Sequence, residues 1–415
     1  MNTEICAIIY NIDDRRYYSM HIAMEENSRV STPNPKNVQT IQSQKSQSSS
    51  SKTPNPQNPF DNAMENVAYR SDYRKILPQV LLPNYQIPLQ PDKAERRAIR
   101  KYFNKAGFWM FITCVSEQFL YSILYLILLV IMGVYSSASP YDASIDADNY
   151  INNSSIGIAI NALVFALCNA LFAWIGCRST QTPIKNLFQT HNLRISNVLR
   201  YFCTGLGLQC LAGFLYNFVE SFFASNGVTL VEADFSYFQN GKSTITVIMY
   251  TCILAPLTEE LLYRGFLMKT LSRVSTRFGI IMSALLFGLA HGNVEQFLLA
   301  FILGLYLGKI VERHNSIVPS ILVHMGINTT SIILSLMYEK LTTNTGEIII
   351  SLIVMAYYAT ALMGIFFWFW KEQKTPIPYS TQKQAVRNRV AWSSPWLFVT
   401  VCLYIGIMIL NQVAS

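Results

Sequence analysis

Thr258-Glu259-Glu260-Leu261-Leu262-Tyr263-Arg264-Gly265 lies in the second half of an apolar segment that runs from Thr244 to Leu271. The segment is long enough to cross a bilayer, yet it carries two adjacent carboxylates. A charged residue at the centre of a span costs about 2.5 to 3.5 kcal/mol on insertion scales, so each needs a partner, a wet cavity or a chemical use. On an α-helix, residues four apart share a face, which sets Glu260 beside Arg264 and turns Glu259 about 100° away. The expected division is a structural Glu260 and Arg264 pair and an uncommitted Glu259. A buried ion pair that serves only to fix helix packing fits the same residues.

The composition sets the class around this segment. Of 415 residues, 51% are apolar and 13% charged, against about 25% charged in an average soluble domain. The chain reads as an all-α polytopic integral membrane protein with about 8–9 transmembrane helices and a disordered cytoplasmic N-terminal leader. The net charge of +8 is scattered between apolar segments instead of forming a face, so it reads as membrane topology and not as a nucleic-acid surface. Eight cysteines include no CxxC pair, and seven lie in or beside apolar segments, so neither a disulfide framework nor a zinc knuckle is indicated.

Residues 1–82 hold Ser-, Asn-, Gln- and Pro-rich sequence and should be disordered. Residues 83–106 form a basic juxtamembrane segment with Lys93, Arg96, Arg97, Arg100, Lys101 and Lys105. A transmembrane domain should occupy 107–412, with its catalytic core at 240–340. Span-length apolar windows fall near 107–135, 155–177, 198–224, 244–268, 279–294, 296–311, 316–338, 347–370 and 395–412. The fifth and sixth are short enough to re-enter instead of crossing. Lys- and Arg-bearing connections alternate with poor ones, and Ser136 to Ser154 has no Lys or Arg at all. This places the N-terminus inside and, with nine spans, the C-terminus outside. A multi-pass protein of a bacterial plasma membrane is expected, and an endoplasmic reticulum membrane keeps the same geometry.

Small residues mark close packing in the later spans: Ala300, Gly304 and Gly308 repeat every four residues, and Ser283, Ala284, Gly288 and Ala290 lie one span earlier. Only two histidines, His291 and His324, fall inside apolar segments, and Asn328 shares the helical face of His324. Counting about 1.5 Å per residue from Lys269, Arg277 and Asn315 puts Glu259 about 15 Å deep, His291 about 21 Å, His324 about 14 Å and Asn328 about 20 Å. In a hydrocarbon core of about 30 Å these groups approach one layer. Ser116, Glu117 and Gln118, with Asn161, Asn169, Gln209 and Asn217, read as packing polars or cavity lining.

Such a layer supports hydrolysis. A carboxylate in an apolar cavity is suited to take a proton from water, which makes Glu259 the candidate base with His291 holding or relaying that proton. Attack on an amide also creates an oxyanion, for which Asn328 and His324 offer N–H donors. A zinc ion held by Glu259, His291 and His324 is the competing chemistry. No H-E-x-x-H or serine-nucleophile motif is present.

Glu259-Glu260-x-x-x-Arg264, Phe287-x-x-x-His291 and His324-x-x-x-Asn328 resemble, in order, the three motifs of the CPBP intramembrane protease family. That family includes type II CAAX prenyl endopeptidases and Abi-type bacteriocin-processing and immunity proteins. The resemblance covers about residues 240–340. It implies an α-helical membrane endopeptidase, without a required metal, acting on a membrane-associated peptide or protein. By position, Glu259 and His291 would activate water, His324 and Asn328 would form the oxyanion hole, and Glu260, Arg264 and Phe287 would support them. A non-catalytic scaffold or bacteriocin self-immunity protein uses the same residues to shape a cavity, and a proton-relay transporter is a third reading.

Overall fold

The computed structural model describes residues 91–136, 139–190, 193–231, 244–272, 276–341, 343–372 and 393–414. The expected leader, 1–82, lies outside these residues. Within them the chain is helical and contains no strand. The helices are α1 (Pro91–Ser136), α2 (Pro140–Asn153), α3 (Ser155–Ser179), α4 (Ile195–Ser225), α5 (Thr244–Ser272), α6 (Thr276–Leu289), α7 (Val294–His314), α8 (Val318–Lys340), α9 (Asn344–Phe367) and α10 (Pro395–Ala414). Eight of them are long and apolar enough to cross a membrane, and α6 is a shorter apolar helix. The protein is a multi-pass membrane protein.

The apolar windows become helices because in lipid a segment has to satisfy its own backbone. One region differs from the expected layout, and the short fifth window agrees with it. Residues 136–154 hold a helix, α2, instead of a plain loop. Its start is well specified: the Ser139 hydroxyl accepts from the Asp142 N–H at 3.3 Å, Pro140 opens the helix, and Asp142 lies in the first turn. The fifth window forms only the 14 residues of α6, about 21 Å of helix. Gly292 ends it in the left-handed region, φ 73°, and Asn293 caps α7 by accepting from the Gln296 N–H at 2.8 Å. The result is a helical hairpin that carries His291 at its tip.

α5 is the central element. It packs against α1, α3, α6, α7 and α8, and every residue from Leu262 to Ser272 is buried. A helix covered all round in this way has no lipid-facing side over that stretch. Elsewhere large apolar side chains face outward, such as Phe218 on α4 and Leu362 on α9, as a lipid boundary requires.

The small residues bring α6 and α7 together beside α5. A Cβ on Gly304 would lie 3.0 Å from the Ala284 Cβ and 3.3 Å from Arg264 Nη2, and one on Gly308 would lie 3.0 Å from Ile280. Gly304→Val should force α6 and α7 apart and press on the guanidinium. A loss of about 1–3 kcal/mol is expected, the usual range for overpacking, read as a lower thermal midpoint of the detergent-purified protein.

Candidate functional site

α5 is not a uniform α-helix. Tyr250–Leu254 and Glu260–Met268 are π-helical, with Ala255–Glu259 as an α-helical insert between them. Such distortions are rare and concentrate at functional sites. The first has a cause in the sequence. The Ala255 N–H bonds to the Tyr250 carbonyl, the i+5 pattern, so the next donor in register for Thr251 would come from Pro256, which has none. The Asn328 amide of α8 donates to the Thr251 carbonyl instead, at 2.9 Å. A second α5 carbonyl, that of Tyr263, accepts from the Ser283 hydroxyl of α6 at 2.7 Å. Backbone irregularity in α5 is thus answered by side chains of its neighbours.

The adjacent glutamates have different surroundings. Glu260 and Arg264 are both fully buried, with Nη1 2.9 Å from Glu260 Oε1. Their contact is one of charge, because the Nη1 N–H is not aligned for a hydrogen bond and Glu260 Oε2 has no hydrogen-bond partner. The guanidinium lies over the Phe287 ring, 4.2 Å from its centroid, an arrangement that supplies about 2 kcal/mol or more when desolvated. Phe287 also meets Tyr263, His291 and His324 edge to face, at 5.1, 5.0 and 5.8 Å. It is the apolar wall that the charged and imidazole groups share.

His324 stands between the two carboxylates. Its Nδ1 is 3.2 Å from Glu260 Oε1, and its Nε2 is 3.8 Å from Glu259 Oε2. The first is a hydrogen bond; the second is beyond direct bonding range. The Glu259 side chain is 20% exposed, against 0% for Glu260. His291 Nδ1 lies 2.8 Å from the Phe287 carbonyl. A carbonyl only accepts, so Nδ1 carries the proton and the Nε2 lone pair is left available.

The seven residues singled out from sequence therefore gather where α5, α6 and α8 meet, with one change of neighbours. The imidazole against Glu259 is that of His324, while His291 reaches the group through Phe287. For zinc, the donor set fits poorly. Among the described residues no three His, Cys, Asp or Glu side chains converge as a metal site, and the two His324 nitrogens are turned to two different carboxylates. No step is therefore routed through a metal.

Sequence reading missed one group. Glu117 on α1 reads from sequence as a packing polar or cavity lining, and it lies within charge–charge range of Glu259 and of Tyr250 and Tyr263. Counting depth from Lys105 would have found it.

Residues 241–330 match the family model Rce1-like, described as Type II CAAX prenyl endopeptidase Rce1-like. This stretch is similar to that family. It holds α5, α6, α7 and the first half of α8, and with them Glu259, Glu260, Arg264, Phe287, His291, His324 and Asn328. It agrees with the CPBP resemblance of the three motifs. The match spans less than a quarter of the 415-residue chain, and α1 with Glu117 lies outside it. No curated protein and no solved structure matches the chain.

The pairing of Asn328 with Thr251 gives a direct test. Asn328→Ala leaves a buried carbonyl unpaired and should destabilise the protein by about 1–3 kcal/mol. Pro256→Ala restores an N–H at the position that Thr251 lacks. The double variant should therefore melt above the Asn328→Ala variant, whereas additive losses would contradict the pairing.

Proposed function

We propose that the protein is a glutamate-dependent intramembrane endopeptidase that hydrolyses a peptide bond of a membrane-associated peptide or protein. The observation that carries this reading is the contrast between the two glutamates. Glu260 is fully buried and committed to Arg264 and His324, while Glu259 is partly exposed beside an imidazole. One carboxylate is structural and its neighbour is available for chemistry. The Rce1-like match over the same helices supports the reaction class.

In this reading Glu259 takes a proton from water as the water oxygen attacks the scissile carbonyl. His291 helps to hold that water through its Nε2 lone pair. The carbonyl oxygen then carries negative charge and needs donors. Glu260 accepts from His324 Nδ1, so as an imidazolium His324 presents an Nε2–H as well, with the Glu260 charge to balance it. Asn328 uses one amide hydrogen on Thr251 and keeps its second for the oxyanion. Arg264 and Phe287 hold Glu260 and the rings in place. In this reading the reaction needs no metal, and the basic connections support a site toward the cytoplasmic side of a cell membrane.

A site among helices long and apolar enough to cross a membrane supports a substrate with a lipid-embedded or lipid-modified portion. The test uses internally quenched peptides, farnesylated and unprenylated, with detergent-purified protein. Cleavage should survive a strong chelator and should fall at least about 10²-fold in Glu259→Gln, the scale of a lost general base. Full activity of that variant, or loss of activity on chelation, would overturn the mechanism. If no peptide is cleaved, the residues shape a binding cavity in a non-catalytic or immunity protein instead.

A further inference from the structure

α1 contributes a carboxylate that lies outside the Rce1-like match. Two contacts set its level. Lys105 Nζ donates to the Ser179 carbonyl at 2.6 Å and Trp109 Nε1 donates to the Ser179 hydroxyl at 3.0 Å, which join the polar end of α1 to that of α3. The Thr270 and Thr180 hydroxyls are 3.3 Å apart, which joins the end of α5 to the same level. From these pins Glu117 is twelve residues beyond Lys105 and eight beyond Trp109 on α1, Cys168 eleven along α3, and Glu259 eleven along α5. At about 1.5 Å per residue Glu117 falls about 12–18 Å in, Cys168 about 16 Å, and Glu259 no more than about 16 Å.

Rotation agrees with depth. α1 buries Phe103, Ala106, Met110, Thr113 and Cys114, a stripe at three- and four-residue spacing whose next member is Glu117. Beyond it α1 turns large apolar side chains outward, with Phe119 and Leu126 exposed. Glu117 is half-buried, as Glu259 is. One turn earlier, the Cys114 thiol is hydrogen-bonded to Tyr404 of α10, which is bonded to Tyr263 of α5. Tyr263 rests on Phe287, so the face that bears Glu117 is fastened to the wall of the candidate site.

Hydrolysis of an amide needs more than a base, because the departing nitrogen needs a proton. None of the seven residues above is assigned that task. We propose that Glu117 is the acid that protonates the leaving amine, a second catalytic carboxyl opposite Glu259; this rests on the endopeptidase reading. In the proposed starting state the Glu117 carboxyl carries a proton and the Glu259 carboxylate does not. The Glu259 carboxylate takes a proton from water, and the hydroxide oxygen bonds to the carbonyl carbon. The carbon–nitrogen bond then breaks as the Glu117 carboxyl gives its proton to the nitrogen. The products are a carboxylic acid and an amine, with Glu259 protonated and Glu117 ionised. Transfer of that proton from Glu259 to Glu117 restores the starting pair.

The test compares two leaving groups. A farnesylated quenched peptide is cleaved, its scissile bond is located by mass spectrometry, and the same peptide is made with a thioester at that bond. A thiol of pKa about 8.5 leaves as thiolate and needs no proton. Glu117→Gln should lower kcat on the amide about 10²-fold or more with little change in KM, while the thioester rate stays close to that of the unaltered protein. Glu117→Asp, still an acid, should keep a ratio of thioester to amide rate nearer the unaltered one. The ratio is measured within one preparation, so it does not depend on the folded fraction. Equal loss on both substrates, or a Glu117→Asp ratio equal to that of Glu117→Gln, would overturn the proposal and leave the endopeptidase standing. Activity of Glu259→Gln on the amide, run alongside, would instead remove the reading on which it rests.

Discussion

The buried contact between Glu260 and Arg264 is the constraint from which the rest of the site follows. Breaking such a pair by removing one member costs about 3–5 kcal/mol, because the other charge is left uncompensated. Here the guanidinium is further held against Phe287, and the carboxylate is held by His324. Each helix of the site is tied to this contact: α5 supplies the pair, α6 the ring beneath it, α8 the imidazole beside it. Gly304 of α7 leaves space next to Arg264 Nη2. With Glu260 fixed in this way, the residue before it on the helix points elsewhere, and Glu259 is the carboxylate left partly exposed.

The second organising feature is the irregular backbone of α5. A straight α-helix would satisfy its own carbonyls and offer its neighbours side chains alone. The π-helical stretches and Pro256 leave Thr251 in need of a donor, and Asn328 supplies it. Asn328 therefore has two duties, one to the backbone of α5 and one, in the proposed mechanism, to the reacting oxygen. The amide is suited to both because it has two N–H groups fixed in one plane. A residue with a single donor could serve the helix or the oxyanion, but not both.

Much of this was legible in the sequence because membrane spans obey simple rules. Apolar length gave the helices, and the cost of intramembrane charge pointed to Glu259, Glu260 and Arg264. A rise per residue brought His291, His324 and Asn328 to their layer. What escaped depends on information that spacing does not carry. The shortness of the fifth window was legible, but not the turn at Gly292, where a left-handed residue follows the end of α6. The nearness of His324 to Glu259 depends on how α8 rotates against α5, and the bond of Asn328 depends on a π-helical register. Glu117 was passed over for a different reason. Its depth can be counted from Lys105, but its nearness to Glu259 shows only once α1, α3 and α5 are pinned together at Ser179 and Thr180.

The central claim is that two neighbouring glutamates divide structure and chemistry between them, which makes their reactivities different in one folded protein. Carbodiimide labelling with residue-level mass spectrometry, followed in time beside peptide cleavage, measures this directly. The account predicts that Glu259 is modified in step with loss of cleavage while Glu260 stays unmodified until the protein unfolds. Modification of Glu260 in the folded protein, or full cleavage after Glu259 has been modified, would contradict it.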